Sequence, residues 1–330
     1  LAKPHVYVTR QLFKSALDII KNSCTVEVFN GDDNPVPRQL LLEKVRDADG
    51  LLCLLTEKID KELMSQGNKL KVISNYAVGF NNIDVPEATS RGIWVTNTPG
   101  ILTETTADCA WALMMASARR IVEGDRNIRV KGWVHAWGPK MFIGSDVHGK
   151  TLGIVGMGRI GLAMMKRAQG FSMKVIYYDP RRLPEIENDL VRYGTLSDLL
   201  SDSDFVSVHT PLDEKTHHLI GKAELAKMKR TAYLVNTSRG PVVDENALYE
   251  ALRDKIIAGA ALDVFEKEPL DPASPLIKLD NIVLTPHIAS ASIETRTAMA
   301  EMAATNIVSV LTGMEPPNPV NLEVKKNLRK

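Results

Sequence analysis

Apolar positions fall in short runs separated by amphipathic stretches along most of the chain. The runs at 5–9, 25–29, 50–55, 71–74 and 93–96 have the length and composition of buried strands. Stretches with helical spacing lie between them, at 11–22, 37–47 and 60–66. This alternation predicts a parallel sheet covered by helices on both faces. The turn Asn97-Thr98-Pro99-Gly100 closes the first open α/β domain near residue 100, because Pro and Gly both interrupt regular structure. A long helix is predicted next, from about 104 to 129. Ala107, Ala110, Trp111, Met114, Ala118, Ile121 and Val122 recur at helical spacing, and Thr105 with Asp108 fits a capping box. These residues are read as packing, and a helix of this length could also bury a face against a second subunit. Residues 131–149 have no clean period and carry Trp133, Trp137, Met141 and Phe142, a composition that suits a docking arm.

The strand and helix pattern resumes at Leu152 and continues through runs at 205–209, 232–236, 258–263 and 281–285, a second α/β domain reaching about residue 287. A last helix, about 293–312, ends at Gly313 before Pro316-Pro317. The first domain lacks a closing helix of its own, so this one is expected to return to it.

The second domain opens on its most informative stretch. The strand run 152–155 meets Gly156, Gly158 and Gly161, a helical pattern follows at 162–168, and a second strand runs from 174 to 178. Gly156 permits a tight turn, Gly158 lets a pyrophosphate approach the backbone, and Gly161 lets the helix pack against the sheet. The helix start then offers free N–H groups and positive dipole to the phosphates. Asp179 ends the second strand, 18 residues after Gly161, where a carboxylate would accept from a ribose 2′-hydroxyl and repel a 2′-phosphate. That favours NAD(H), while Arg181 and Arg182 leave NADP(H) open.

Bulk composition narrows the partners. Lys plus Arg number 41 against 40 Asp plus Glu in 330 residues, so no basic excess points to nucleic acid or an anionic membrane. No run approaches the roughly 18 apolar residues of a membrane span, and no signal-peptide pattern precedes the first strand. Cys24, Cys53 and Cys109 are widely spaced and odd in number, which favours reduced thiols in a cytoplasmic setting, with Cys53 and Cys109 in apolar runs expected in the core. The other histidines, His5, His135, His148, His209, His217 and His218, lack metal-ligand spacing, and no metal site is expected.

Ligands of open parallel sheets lie beyond the carboxyl ends of the strands. Those exits supply Arg239, then Asp263 and Glu268, then His287. Reduction of a 2-keto acid needs a planar cation for the carboxylate and keto oxygen, which Arg239 offers, and a proton for the developing alkoxide, which His287 offers. Glu268 beside the imidazole would fix its tautomer, and Asp263 is placed to accept from a nicotinamide carboxamide. Taken singly, each has a structural explanation: a surface ion pair, a hydrogen-bonded histidine, solvated charge. Their joint placement favours chemistry.

Four motifs, Gly153-Ile-Val-Gly-Met-Gly-Arg-Ile-Gly161, Asn236-Thr-Ser-Arg-Gly240, Leu262-Asp-Val-Phe-Glu-Lys-Glu-Pro269 and Thr285-Pro-His-Ile-Ala-Ser290, resemble those of the D-isomer-specific 2-hydroxyacid dehydrogenases, most closely the glyoxylate/hydroxypyruvate reductases. The resemblance covers nearly the whole chain. It implies a catalytic set of Arg239, Glu268 and His287. It implies cofactor contacts from Thr106, Gly156, Gly158, Arg159, Ile160, Gly161, Asp179, Arg181, Thr210, Pro211, Thr237, Ser238, Arg239 and Asp263. Substrate contacts would come from Tyr76, the backbone N–H groups of Val78 and Gly79, Arg239, His287, Ser290, and Trp137 of a partner subunit, which implies a homodimer. The implied fold is a Rossmann cofactor domain, 101–287, inserted into a flavodoxin-like substrate domain, 1–100 plus 288–330, with hinge closure excluding water. Two positions depart from nearby reductases: Gly144-Ser145-Asp146 replaces a run such as Gly-Tyr-Gly, and Ala289 stands where Gly is common. The expected reaction is NAD(P)H-dependent reduction of glyoxylate, and also of hydroxypyruvate. The alternatives are an NAD(H)-sensing interaction protein of the corepressor type, from another class, and a related dehydrogenase for another 2-keto acid.

Overall fold

The apolar runs form strands, and every strand lies parallel to its neighbours. In the computed structural model, which describes residues 2–31 and 34–329, the strands β1 (His5–Val8), β2 (Thr25–Val28), β3 (Gly50–Cys53), β4 (Val72–Asn75) and β5 (Trp94–Thr96) make one sheet in the order β2-β1-β3-β4-β5. Helices α1 (Lys14–Ser23), α2 (Arg38–Lys44), α3 (Lys61–Gln66) and α4 (Val85–Ser90) connect them. Val6, Val8 and Leu52 pack into one core while Tyr7, Leu51 and Cys53 pack into another. Side chains of a strand alternate between faces, so an apolar residue at every position demands cover on both. On one face that cover includes the last helix, α11 (Ile293–Leu311), through Met299, Ala300, Ala303, Ala304 and Ile307. The Ser292 side chain caps it by accepting from Thr295 N–H at 3.1 Å.

The second sheet belongs to a separate compact unit, Thr103–Ala291, whereas the first unit runs to Leu102 and resumes at Ser292. Its strands are β6 (Thr151–Val155), β7 (Lys174–Tyr178), β8 (Val191–Tyr193), β9 (Phe205–Val208), β10 (Tyr233–Asn236), β11 (Gly259–Leu262) and β12 (Ile282–Leu284), in the order β12-β11-β10-β9-β6-β7-β8. Helices α5 (Thr103–Ala118), α6 (Ile121–Lys131), α7 (Arg159–Gly170), α8 (Leu196–Asp202), α9 (Lys222–Leu225) and α10 (Glu245–Arg253) complete it. Leu152 and Ile154 enter one core and Val155 the other, so this sheet too is covered on both faces. The chain leaves β6 toward β7 on one side and returns to β9 on the other. Such a reversal opens a crevice beyond the carboxyl ends of β6 and β9.

The single long helix expected at 104–129 is two helices. Arg120, at φ 53, stands between α5 and α6 in the left-handed region. The arm produces the break: Ser145 N–H donates to the Ala118 carbonyl at 2.8 Å, which terminates α5. The expected capping box is also absent, because α5 starts at Thr103 and places Thr105 inside the helix. Asp108 instead receives Arg167 Nε at 3.0 Å from α7. Cys53 is buried as expected, while Cys109 is only partly covered. The strand β8 and the helices α4 and α8 are too short for periodicity to reveal. Among the described residues no helix is long and apolar enough to cross a membrane.

Candidate active site

The phosphate-binding turn is built as its glycines require. Gly156 has φ 94, and a Cβ there would lie 2.8 Å from the His209 carbonyl, so only glycine fits. Gly161 sits against the Gly156 oxygen, whereas the space beside Gly158 is open to 4 Å. The first bond of α7 runs from Leu162 N–H to the Gly158 carbonyl at 2.9 Å. The amides of Arg159, Ile160 and Gly161 therefore precede the helical ladder and are available to phosphate oxygens.

Asp179 holds the turn through both carboxylate oxygens. One carboxylate oxygen accepts from Met157 N–H at 2.9 Å and the other from Arg181 N–H at 2.9 Å. Each oxygen retains a second lone pair for a ribose hydroxyl. The two arginines that follow differ. Arg182 is held by Glu187 through two bonds of 2.8 and 2.7 Å, and the hydrogen bond from Arg182 pulls the Glu187 carboxyl down to about 2. The Arg181 side chain is exposed.

The next two strand exits carry buried hydroxyls. Thr210 and Thr237 each have a buried Oγ1 that meets no protein hydrogen-bond partner. Buried polar atoms are normally satisfied, so these orphans at the crevice fit a dinucleotide. Pro211 follows Thr210 and fixes the 216 turn through its carbonyl, which accepts from Thr216 Oγ1 at 2.7 Å. The Asn236 side chain organises the neighbouring exit. Its Oδ1 accepts from Ser238 N–H and Ser238 Oγ at 3.0 and 2.8 Å, and its Nδ2 donates to the Arg239 carbonyl at 2.9 Å. Sequence reasoning assigned Asn236 no role of its own. His209 was also set aside there. It is buried with Nε2 at 2.8 Å from Ser207 Oγ, and burial pushes it down to about 3, which keeps it neutral. Thr106 is buried in the first turns of α5.

Arg239, Glu268 and His287 come together in this unit. A Cβ on Gly240 would lie 1.9 Å from the Phe265 carbonyl, so this glycine lets the Arg239 exit pass against the segment that carries Glu268. Arg239 is half-buried and donates to the Ser238 carbonyl at 2.7 Å. Burial lowers its pKa and the Glu268 charge opposes that shift. A guanidinium stays protonated under either influence. Glu268 Oε2 lies 2.7 Å from His287 Nδ1, and Glu268 Oε1 accepts from Phe265 N–H at 3.1 Å. Burial alone would raise the Glu268 carboxyl, but the hydrogen bond and charge of His287, the Phe265 N–H and the Arg239 charge together hold it below the usual carboxylate range. With Nδ1 tied to a carboxylate, Nε2 is the ring nitrogen that faces outward chemistry.

His287 adopts φ 55, an uncommon conformation for a residue with a side chain. Asp263 supports it. The Asp263 carboxylate accepts from Thr285 Oγ1 at 2.6 Å, Ile288 N–H at 2.8 Å and Ala289 N–H at 2.8 Å, and its carbonyl accepts from His287 N–H at 2.9 Å. A strained residue costs about 1–3 kcal/mol, and bonds to a charged group contribute about 1.5–3 kcal/mol each, so the cradle outweighs the strain. Asp263, expected only as a nicotinamide contact, is fully buried and is the residue that holds the His287 turn. Ser290 lies three residues beyond His287, half-buried.

The remaining expected contacts lie in the first unit and in the arm. Tyr76 is only 6% exposed and packs in the core, its hydroxyl donating to the Arg296 carbonyl at 2.7 Å. Its side chain therefore packs against α11. Val78 and Gly79 follow it in the loop after β4. Trp137 is 81% exposed, beside exposed Val130, Trp133 and Val134.

Similarity to known proteins agrees with this geometry. Residues 111–289 match the model of the D-isomer specific 2-hydroxyacid dehydrogenase NAD-binding domain. The chain belongs to that family. It binds a nicotinamide dinucleotide through the second unit. A curated relative named glyoxylate reductase, from Korarchaeum cryptofilum, is 54% identical over 98% of both chains. A crystal structure of a Thermus thermophilus protein superposes with a TM-score of 0.89 at 47% identity, covering 96% of this chain and 99% of that one. The NADPH-dependent glyoxylate/hydroxypyruvate reductase of Sinorhizobium meliloti, solved with NADP and malonate, is 30% identical with a TM-score of 0.84, covering 100% and 99%.

Proposed function

We propose that this family member reduces glyoxylate to glycolate and hydroxypyruvate to D-glycerate. The observation that carries this reading is the 2.7 Å contact between His287 and Glu268, in a segment that also approaches Arg239. Relatives of about half identity that bear the name glyoxylate reductase support the choice of substrate. The reduced nicotinamide supplies the hydride when bound. Arg239 holds the substrate carboxylate and keto oxygen with a planar pair of donors. The N–H groups of Val78 and Gly79 hold the carboxylate as well. His287 Nε2 gives the alkoxide its proton, and Glu268 keeps the ring oriented and stabilises the imidazolium. The Gly156–Gly161 turn, with Arg159 and Ile160, would take the pyrophosphate, Thr106 would face the nicotinamide, and Thr210, Pro211, Thr237 and Ser238 would supply further cofactor contacts. Purified protein mixed with NADH and glyoxylate should consume NADH absorbance. Binding of NADH with no consumption across a panel of 2-keto acids would favour the sensing alternative, which the relatives' names do not support.

Cofactor preference rests on Asp179. Its carboxylate favours NADH, while exposed Arg181 is the cation left for a 2′-phosphate and Arg182 is engaged by Glu187. Asp179→Ser should improve the NADPH to NADH ratio of kcat/KM by about tenfold, about 1.4 kcal/mol. The same variant loses the Met157 N–H acceptor, so absolute activity with both cofactors should fall; an unchanged ratio would remove Asp179 from the ribose contact.

The arm supports a homodimer. Helix α6 has no buried residue, and the apolar Val130, Trp133, Val134 and Trp137 continue from it into solvent. Contiguous exposed apolar surface of this kind marks an interface. Sedimentation should give a dimer, and Trp137→Ala should raise KM for glyoxylate several-fold without dissociating it. A monomer with wild-type KM in that variant would end this assignment. The free cysteines are compatible with a reducing, cytoplasmic compartment.

A further inference from the structure

The loop after β4 is held from its carbonyl side. The Ala77 carbonyl accepts from Thr98 N–H at 2.9 Å, the Val78 carbonyl from Asn97 Nδ2 at 2.8 Å, and the Gly79 carbonyl from Asn75 Nδ2 at 2.8 Å. A trans peptide is planar, with each carbonyl opposed to the N–H of the following residue. Fixing the Ala77 and Val78 oxygens against 97–98 therefore turns the Val78 and Gly79 N–H groups away from that segment. Among the described residues neither of these two N–H groups has a protein acceptor. Successive N–H groups aimed together form a site for an anionic oxygen.

Asn97 is itself held by the closing helix. Its carbonyl accepts from Asn306 Nδ2 at 3.0 Å, and its N–H donates to the Asn318 carbonyl at 3.3 Å. Asn306, fully buried on α11, also accepts from Asn318 N–H at 3.0 Å. The Asn97 side chain is thus presented to the Val78–Gly79 peptide from a segment that α11 holds in place. Only its amide nitrogen can serve, because the Val78 oxygen has no proton to donate.

We propose that Asn97 is a positioning residue for the substrate carboxylate, acting through the Val78–Gly79 peptide. This rests on assigning that carboxylate to the Val78 and Gly79 N–H groups. Without the Asn97 bond the peptide that carries the Gly79 N–H is restrained only by its neighbours, held at the Ala77 and Gly79 carbonyls, and one of the two donors is no longer firmly aimed before substrate arrives. The loss falls on carboxylate binding, equally in ground and transition states, so it appears in KM rather than kcat.

The test compares wild type with Asn97→Ala and the isosteric Asn97→Asp, using glyoxylate as substrate and oxalate as a competing carboxylate. KM for glyoxylate and the inhibition constant of oxalate should rise together, about tenfold in Asn97→Ala and more in Asn97→Asp, with kcat within about threefold and NADH dissociation unchanged. The two variants keep the proposal testable if one of them fails to fold. Folded variants with wild-type KM and oxalate inhibition would overturn the positioning role alone. An effect confined to Asn97→Asp would also overturn it, as simple charge repulsion, and so would a joint loss of kcat and NADH affinity, as general disruption. A wild-type enzyme that neither turns over glyoxylate nor responds to oxalate would sink the carboxylate assignment together with it.

Discussion

Replacing His287 with Asn should lower turnover with glyoxylate by roughly 10²–10⁴ while NADH affinity stays near wild type. Asn is the appropriate probe because it tolerates the left-handed backbone that His287 adopts, so the Asp263 cradle survives. What disappears is a ring nitrogen that can carry a proton, with Nδ1 already committed to Glu268 at 2.7 Å. Equal loss of turnover and NADH affinity would mean a structural role instead. The direction of proton flow gives a second handle. Reduction consumes a proton, so it should decline as pH rises, whereas oxidation of glycolate releases one and should increase. Parallel profiles in the two directions would count against the assignment. Glu268 adds no acid limb within the mildly acid range, because its carboxyl is held below the usual carboxylate value and stays ionised there. The same lowering means that its contribution to stability is present above the unfolded carboxylate pKa and is lost only as pH falls through the folded one.

Arg239→Lys should reduce kcat/KM by about 10²-fold or more, although the formal charge is conserved. A lysine offers one point of charge where a guanidinium offers a planar fork. Burial, which already lowers the pKa of Arg239, also penalises a charged ammonium far more easily brought to neutrality. Arg239→Ala should be equally impaired, and added guanidinium should restore part of its rate, as expected when the missing group acts directly on substrate. If Arg239→Lys retains kcat/KM within a few-fold, the planar clamp is not needed and the assignment fails.

Most of the candidate chemistry was legible because it sits at strand exits, and strand exits can be located from local pattern. Asp179, Arg239, Glu268 and His287 were all proposed in that way. The errors have a common source. The helix expected at 104–129 kept its periodicity through Arg119 and Arg120, yet the chain breaks there because the arm returns to cap Ala118. Tyr76 was expected to contact substrate, but its hydroxyl reaches the Arg296 carbonyl 220 residues away and the ring is buried. Asn236, Asn97 and His209 were given no role of their own, since an amide or imidazole next to a strand carries no signal until its partners are known.

The order of amino acids by itself determined which segments are strands, where the phosphate turn lies and which charged groups are available to a 2-keto acid, because those properties depend on near neighbours and on side-chain period. Only the tertiary structure decided that Glu268 meets His287 through Nδ1, that Asp263 holds the turn beneath that histidine, and that the Asn97 side chain reaches the Val78 carbonyl. Each of these is a hydrogen bond between loops, short in range and directional. Its partners are chosen by how strands are ordered in the sheets, which no local window of residues contains.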